Sequence, residues 1–270
     1  MQNKTVLITG AAGGLGKALC LQFGGLGARI IGLDVDQSAL SGLEVILREA
    51  NIPSRLIECD IRSEQACRGA IDLGRETFGP IDILINNAGL THIGLFQQAS
   101  LESIQQVIDV NFYGAVNCTH HVLKDLIEGK GSIVTISSVA GLAPLMGRTA
   151  YSASKFALHG FFESLRTELL DQGVHVLMVC PSTIDTDMRS RTVAGSIDGQ
   201  AVGKMASPDF VADGILQAVF HKQRRLIIGP QSRLTYLVHK WMPRLYDRLM
   251  IRKVSPQLLS IQKKKEFIPM

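Results

Sequence analysis

The sequence lacks any apolar run near the ~18 residues that a membrane-spanning helix requires. A secretory signal is not expected either, because only residues 1–4 precede an apolar segment typical of a core strand. Cysteine is scarce, and the five residues are scattered and mostly lie inside apolar segments: Cys20, Cys59, Cys67, Cys118 and Cys180. This distribution excludes a disulfide framework and favours reduced thiols in the cytoplasm. With 46% hydrophobic and 19% charged residues, the chain is expected to fold around a large core.

Net positive charge is absent from residues 1–220 and is concentrated at the C-terminal end. The formal net charge is +4, yet residues 221–270 carry 12 Lys and Arg against two acidic residues, which leaves a net charge of −6 for residues 1–220. No motif that reads nucleic acid accompanies the basic segment, so no nucleic-acid partner is predicted. The seven histidines show no ligand spacing, so no metal site is predicted.

Short apolar segments alternate with segments of helical length over residues 1–230. Most of the short segments lack polar alternation, which is typical of strands buried on both faces. Strands are predicted at residues 5–9, 30–33, 55–59, 81–85, 132–137, 174–180 and 225–228. Crossover helices are predicted at residues 15–26, 37–50, 64–78, 101–127, 150–170 and 208–221. The expected fold class is therefore α/β, a doubly wound parallel sheet with helices on both faces, in one domain over residues 1–230.

A glycine-rich turn, Thr-Gly-Ala-Ala-Gly-Gly-Leu-Gly at residues 9–16, joins the first strand to the first helix. Glycine permits the positive φ of such a turn and brings bare N–H groups against a diphosphate. Asp34 ends the second strand, where its carboxylate can accept hydrogen bonds from the adenosine ribose hydroxyls. Because that carboxylate would repel a 2′-phosphate, NAD is favoured over NADP as the cofactor. The alternatives are a glycine-rich loop without a ligand and a solvated acid at position 34.

Tyr151 and Lys155 lie four residues apart at the start of a predicted helix, so both side chains project from one face. A free tyrosine has a pKa near ~10 and is a poor base at neutral pH. A nearby ammonium and the positive nicotinamide of an oxidised cofactor are expected to lower that pKa. Ser138, at the end of the fifth strand, can hydrogen-bond the substrate oxygen. Taken alone, the tyrosine–lysine spacing is more typical of an ordinary pair on a helix surface.

Three further motifs accompany this pair. In chain order the set is Thr9-Gly10-x-x-x-Gly14-x-Gly16, Asn86-Asn87-Ala88-Gly89, Ser138 and Tyr151-x-x-x-Lys155. Together they resemble the short-chain dehydrogenase/reductase superfamily in its plain single-domain form, over residues 5 to about 230. The resemblance implies a Rossmann-type seven-stranded sheet and NAD(P)-dependent oxidation of alcohols or reduction of ketones.

The resemblance also implies roles for individual residues. Tyr151 is expected to be the general acid/base, Lys155 its activator and a contact of the nicotinamide ribose, and Ser138 rather than Ser137 the partner of the substrate oxygen. Asn111 matches the residue that helps hold a water relay to the lysine, with an amide at a helix kink as the alternative. The expected cofactor contacts are Gly10, Ala12, Gly14, Leu15, Gly16, Asp34, Asp60, Ile61, Asn87, Ala88, Gly89, Tyr151, Lys155, Pro181, Ile184 and Thr186. The sequence departs from the family at Ser182, where glycine usually follows the proline, and a modest change of backbone is expected there.

The sequence indicates the identity of the substrate less directly than that of the cofactor. Residues 91–96, 140–149 and 187–205 are expected around the site, and the second segment is mostly apolar, with Leu142, Ala143, Pro144, Leu145 and Met146. An apolar surface favours a lipophilic alcohol or ketone, of steroid, retinoid or long-chain type, over a sugar. The alternative is that these residues pack inside the subunit. Arg148 is interpreted as a solvated surface arginine, with contact to a carboxylate or phosphate on the substrate as the alternative. Residues 189–204 are interpreted as a mobile lid.

Residues 231–270 exceed the plain fold and are predicted to form a basic, amphipathic helical extension. Apolar residues recur there at helical spacing with interleaved cations, and Pro243 is expected to divide the segment into two helices. Lys263-Lys264-Lys265 is expected to be disordered. Such helices can pack on the enzyme, meet a partner subunit or make peripheral contact with an anionic membrane. The resemblance implies a homodimer or homotetramer. The alternative functions are a cofactor-binding regulatory or scaffold protein without turnover and an enoyl-thioester reductase, whose tyrosine–lysine spacing is typically longer.

Overall fold

The computed structural model describes residues 1–185 and 205–252. The strands are β1 Thr5–Thr9, β2 Arg29–Asp34, β3 Ser54–Glu58, β4 Ile83–Asn86, β5 Ser132–Ile136, β6 His175–Pro181 and β7 Arg225–Ile228. The helices are α1 Gly14–Gly25, α2 Gln37–Glu49, α3 Glu64–Phe78, α4 Leu101–Ile108, α5 Gly114–Glu128, α6 Thr149–Glu168, α7 Pro208–Phe220 and α8 Pro230–Trp241, followed by α9 at residues 243–252. All seven strands lie within two residues of the segments that the apolar runs predict.

The strands form one parallel sheet in the order β3-β2-β1-β4-β5-β6-β7. This is the doubly wound, Rossmann-type arrangement, so the expected fold class is confirmed. The order reverses direction between β1 and β4, and the carboxyl ends of all strands meet at one edge. A crevice at that edge, beside the reversal, is where such sheets bind ligands.

Two apolar cores lie on opposite faces of the sheet. One lies between the sheet and helices α1, α2 and α7, and it contains Phe23, Leu47 and Ile215. The other lies under α3, α5 and α6, and it contains Ile71 and Phe162. All five residues of β1 are buried, because helices cover both of its faces. Because both faces of such a strand are buried, its sequence is mostly apolar and does not alternate between apolar and polar residues.

The predicted single helix at residues 101–127 is interrupted. A π-helical turn at Asp109–Tyr113 separates α4 from α5. Such a turn inserts one extra residue into the helical repeat and rotates the side chains that follow. Asn111, at its centre, is 1% exposed and faces the interior. The apolar pattern alone could not distinguish this turn from a regular helix.

The C-terminal helices follow the sheet directly. Ser207 caps α7 by accepting a hydrogen bond from the N–H of Phe210, and Pro208 occupies the first helical position, as predicted. Helix α8 ends at Trp241, Met242 is not helical, and α9 begins at Pro243, so the expected division into two helices is confirmed. Of the helices in the described ranges, none is long and apolar enough to cross a bilayer. Residues 263–265 lie outside the described part of the chain.

Candidate active site

The glycine-rich turn places bare backbone at the carboxyl end of β1. Gly10 has φ +64°, and a Cβ there would lie 2.9 Å from Cα of Ala88. A Cβ at Gly16 would lie 2.1 Å from the carbonyl oxygen of Gly10, so the first turn of α1 can approach the residues that follow β1 only without a side chain. Gly14 and Leu15 open α1, whose N-terminus has neither a side-chain cap nor an acidic residue. Its N–H groups and positive dipole end therefore remain available to an anion.

Asp34 ends β2 beside this turn. Its carboxylate is buried and accepts hydrogen bonds from the N–H of Ala12, at 3.0 Å, and the N–H of Asp36, at 3.2 Å. The side chain is therefore fixed by the turn and is not the solvated loop acid of the alternative interpretation. Its negative charge lies where the adenosine ribose is predicted to bind.

The segment after β4 is tied to β1. The Thr9 hydroxyl accepts hydrogen bonds from the N–H groups of Asn87 and Ala88, both at 3.0 Å. The Asn87 amide also donates to the carbonyl oxygens of Thr9 and Gly10. Two of the expected cofactor residues therefore brace the glycine-rich turn from the neighbouring strand.

Asp60 and Ile61 follow β3 at the same edge of the sheet. The Asp60 carboxylate is bound by Arg62, whose hydrogen bonds lower the pKa of Asp60 despite its partial burial. The Ile61 carbonyl accepts a hydrogen bond from the Asn117 amide, at 3.0 Å, and the Ile61 side chain lies against Gly114. Both residues are held in position, and their side chains do not join the buried group around Tyr151 described next.

The structure brings Ser138, Tyr151 and Lys155 into one buried group. Ser138 follows β5, Tyr151 lies in the first turn of α6, and the Ser138 hydroxyl acts on Tyr151 by lowering its pKa. The Ser137 hydroxyl instead makes a long hydrogen bond to the backbone carbonyl oxygen of Lys155, at 3.4 Å. The geometry therefore agrees with the preference for Ser138 over Ser137.

Lys155 lies one turn below Tyr151 and is 3% exposed. Its Nζ donates to the carbonyl oxygen of Ile136, at 2.8 Å, and lies 5.7 Å from the centre of the Tyr151 ring. Burial lowers the pKa of Lys155 to about 8, an effect that Cys180 opposes. Lys155 is thus a buried cation whose pKa lies close to neutral pH. It is not part of a solvated pair on a helix surface.

The electrostatics of Tyr151 differ from the expectation. Burial raises the pKa of Tyr151, while the hydrogen bond from Ser138 and the charge of Arg148 act in the opposite direction. Arg148 lies 5.8 Å from the centre of the ring and donates to the Thr91 hydroxyl, at 3.0 Å. Its interpretation as a solvated surface arginine was wrong, because the 140–149 segment folds it back over Tyr151. Sequence offered only a weak signal, its position three residues before the tyrosine.

Asn111 connects the π-helical turn to the segment after β4. Its Oδ1 accepts from the N–H of Leu90, at 2.7 Å, and its Nδ2 donates to the carbonyl of Leu90 and to the Ser154 hydroxyl, at 3.0 and 2.9 Å. Gly89 lies between this amide and the lysine, since a Cβ there would be 3.3 Å from Asn111 Oδ1 and 3.7 Å from Lys155 Nζ. The amide is therefore both at a helix irregularity and beside the buried group. Ser154 was not identified from the sequence.

The segment after β6 is described only in part. Pro181 is buried at the end of β6, and Ile184 forms a parallel bridge with Ala206. Ser182, at the departure from the family pattern, lies beside Gly229 at the end of β7. Thr186 and residues 189–204 of the predicted lid lie outside the described residues.

The predicted apolar surface divides into two parts. Leu142 and Ala143 are buried in the subunit, as the packing alternative expects. Pro144 is exposed, and Leu145 and Met146 are half-buried. Only the second part of the segment remains available to a ligand.

The fold and the buried group define a dinucleotide-binding α/β protein with acid–base side chains at the carboxyl edge of its sheet. The model of the family described as short chain dehydrogenase matches residues 4–196. The chain therefore belongs to the short-chain dehydrogenase/reductase family, and it is an NAD(P)-dependent oxidoreductase that acts on CH–OH groups.

Individual relatives agree with this assignment. The dehydrogenase/reductase SDR family member 7B of Danio rerio is 32% identical over 275 residues, which cover 95% of this chain and 87% of that protein. A short chain dehydrogenase/reductase from Burkholderia phymatum in complex with NAD shares the fold, with a TM-score of 0.84 and 24% identity over 90% of this chain and 95% of that chain. A variant of actinorhodin polyketide ketoreductase with NADPH has a TM-score of 0.77 and 26% identity over 83% of this chain and 95% of that chain.

Proposed function

We propose that the chain interconverts a lipophilic secondary alcohol and its ketone, with NAD as the cofactor and Tyr151 as the acid/base. The observation that carries the proposal is the buried group of Ser138, Tyr151 and Lys155, in which the ammonium of Lys155 lies 5.7 Å from the centre of the Tyr151 ring. A tyrosine and a lysine removed from water in this way are costly to bury and are typical of a functional site.

The residues present fit a dinucleotide. The uncapped N-terminus of α1 suits its diphosphate, and the carboxylate of Asp34 suits the ribose hydroxyls and opposes a 2′-phosphate. Gly10, Gly14, Gly16, Asn87 and Gly89 would line its path toward Lys155. The nicotinamide supplies the hydride acceptor or donor of the reaction. NADP is the alternative, and the solved relatives include one with NAD and one with NADPH.

The side chains of this chain would handle the proton. During alcohol oxidation the Tyr151 phenolate takes the hydroxyl proton, while the C–H bond electrons leave with the hydride and the C=O bond forms. During ketone reduction the neutral phenol returns that proton to the carbonyl oxygen. Ser138 donates a hydrogen bond where negative charge develops on the oxygen, and the ammonium of Lys155 favours the phenolate.

Asn111 is proposed to hold Leu90 and Gly89 in place beside Lys155. Its three hydrogen bonds support that role, and the family resemblance adds a water relay that ends at the lysine. In both roles the amide acts through its neighbours and not on the substrate.

The lipophilic substrate is supported by the half-buried side chains of Leu145 and Met146, close in sequence to Arg148 and Tyr151. Methionine adapts to irregular apolar ligands. The name of the solved ketoreductase is consistent with a carbonyl substrate. A cytoplasmic location is further proposed, supported by five free, buried cysteines. A homodimer or homotetramer is proposed from the family resemblance, and light scattering after gel filtration would measure it.

The test is absorbance at the reduced-nicotinamide band, with NAD and a panel of lipophilic secondary alcohols. Tyr151→Phe removes only the hydroxyl, and turnover should fall by at least about 100-fold. Tyr113→Phe is the matched control, because Tyr113 is half-exposed on the π-helical turn. NADP replaces NAD in a parallel series. Turnover that survives in Tyr151→Phe would contradict the assigned acid/base, and NADH binding without any turnover would favour a scaffold protein.

A further inference from the structure

Helices α8 and α9 present large apolar side chains to solvent. Leu234, Leu237 and Trp241 follow one face of α8, and Trp241 is 71% exposed. Leu245 and Leu249 continue along α9, with exposed fractions of 42% and 50%. We call these five residues the C-terminal apolar face. Monomeric proteins rarely leave several large apolar side chains exposed along one segment unless the segment binds something.

Cations accompany this face along both helices. Residues 230–252 contain five basic residues, Arg233, Lys240, Arg244, Arg248 and Arg252, against a single acid, Asp247. The Lys240 ammonium lies 5.2 Å from the centre of the Trp241 ring. Arg244 and Arg248 line an open hollow with Trp241, and in the described ranges neither has a hydrogen-bond or ion-pair partner. Apolar side chains with a tryptophan and flanking cations are the composition of an interfacial membrane helix.

The same helices are attached to the candidate active site. Tyr246 of α9 is 4% exposed, and its hydroxyl donates to the carbonyl oxygen of Pro144, at 2.7 Å. Pro144 immediately precedes the half-buried Leu145 and Met146. Helix α8 also contacts β7 and the turn at Val139–Gly141, directly after Ser138. A surface that holds the C-terminal apolar face would therefore lie close to the segment proposed to contact the substrate, on the outer side of α8 and α9.

We propose that the C-terminal apolar face docks on an anionic lipid bilayer and brings the 140–149 segment to the membrane surface. The lipid contact depends on α8 and α9 alone. Delivery of a lipophilic substrate from the bilayer rests in addition on the proposed function. A second copy of the chain is a poorer occupant, because a symmetric contact would place two sets of five cations against each other.

The test is flotation of the full-length protein with lipid vesicles, which measures binding without turnover. One preparation contains phosphatidylcholine only, and the other contains phosphatidylcholine with phosphatidylglycerol. Wild-type protein should float with the anionic vesicles and lose this binding at high salt. The double variant Arg244→Gln/Arg248→Gln should bind about 25-fold more weakly, at about 5-fold for each cation. Trp241→Ser should weaken binding about tenfold.

Arg48→Gln/Arg55→Gln is the matched control. These two exposed arginines lie on α2 and β3, at the opposite edge of the sheet from β7 and α8. The control should bind vesicles like the wild type, and all variants should keep the wild-type melting temperature. Three results would overturn the proposal: no flotation, equal binding to neutral vesicles, or an equal loss in the control. A self-association that Trp241→Ser abolishes, without lipid binding, would assign the face to a second copy. Each result is read independently of whether the enzyme turns over.

Discussion

Lys155→Met is expected to stabilise the protein while abolishing its activity. Nζ of Lys155 is buried and donates a hydrogen bond to the carbonyl oxygen of Ile136, at 2.8 Å. Methionine has a similar length and no charge, so it removes the cost of dehydrating the ammonium. Burial lowers the pKa of Lys155 from an ordinary value of 10.5 to about 8. A difference of that size corresponds to roughly 3 kcal/mol at neutral pH, which is an upper bound on the gain.

The shifted pKa of Lys155 determines how the stability difference between Lys155→Met and the wild type changes with pH. Because the pKa of Lys155 is lower in the folded protein, the unfolded chain holds the proton more tightly, and the charged lysine destabilises the fold at neutral pH. As the pH rises through about 8, the folded protein releases this proton and the penalty shrinks. It disappears above the unfolded value of ~10.5. The stability gap between Lys155→Met and the wild type should therefore be widest near pH 7 and narrower at pH 9.

Urea unfolding at several pH values measures the gap, provided that the dependence on denaturant is the same in both proteins. Lys124→Met is the control, because the Lys124 side chain is 83% exposed and its loss should change stability little. A Lys155→Met variant that is less stable than the wild type would refute the reasoning. It would show that the hydrogen bond to Ile136 and the surrounding dipoles outweigh the cost of burial.

Three further outcomes are expected. Ser138→Ala removes a hydrogen bond that lowers the pKa of Tyr151, so the pH profile of alcohol oxidation should move to higher pH, while Ser137→Ala should leave it unchanged. Gly16→Ala places a methyl group against the turn, so NADH binding, followed by fluorescence titration, should weaken by at least tenfold; Gly25→Ala, at the open end of the same helix, is the control. Burial acts to raise the pKa of Glu163, but three arginines outweigh it and lower this pKa to about 2. Glu163→Gln should therefore lower the melting temperature at neutral pH, and calorimetry should show this difference vanishing as the pH falls from ~4.5 toward 2.

The fold could be predicted from the sequence because its signals are local. Unbroken apolar runs such as β1 mark strands covered on both faces, and caps such as Ser207-Pro208 mark helix starts. The π-helical turn around Asn111 could not be predicted, because its extra residue is stabilised by contacts to Leu90 and Ser154, which are distant in sequence. The division into a domain at residues 1–230 and an extension at 231–270 stays a prediction.

The candidate site was predictable where spacing on one element defines it. Tyr151 and Lys155 share a face of α6 at any tertiary arrangement, and the turn around Gly10 and Gly16 is fixed by its own glycines. Arg148 was misread, because its position over Tyr151 depends on the path of the 140–149 segment and on its bond to Thr91. The roles of these residues stay predictions until the variants are measured.

The strand and helix segments, the glycine-rich turn and the order of the candidate site motifs follow from the amino-acid sequence, because each depends on neighbours within a few residues. The electrostatics of the site depend on the three-dimensional packing. Burial lowers the pKa of Lys155 and raises that of Tyr151, and the loss of water that causes both depends on the whole sheet and its covering helices. The packing also decides where the basic C-terminal helices lie, since one buried tyrosine, Tyr246, holds them against the segment beside the active site.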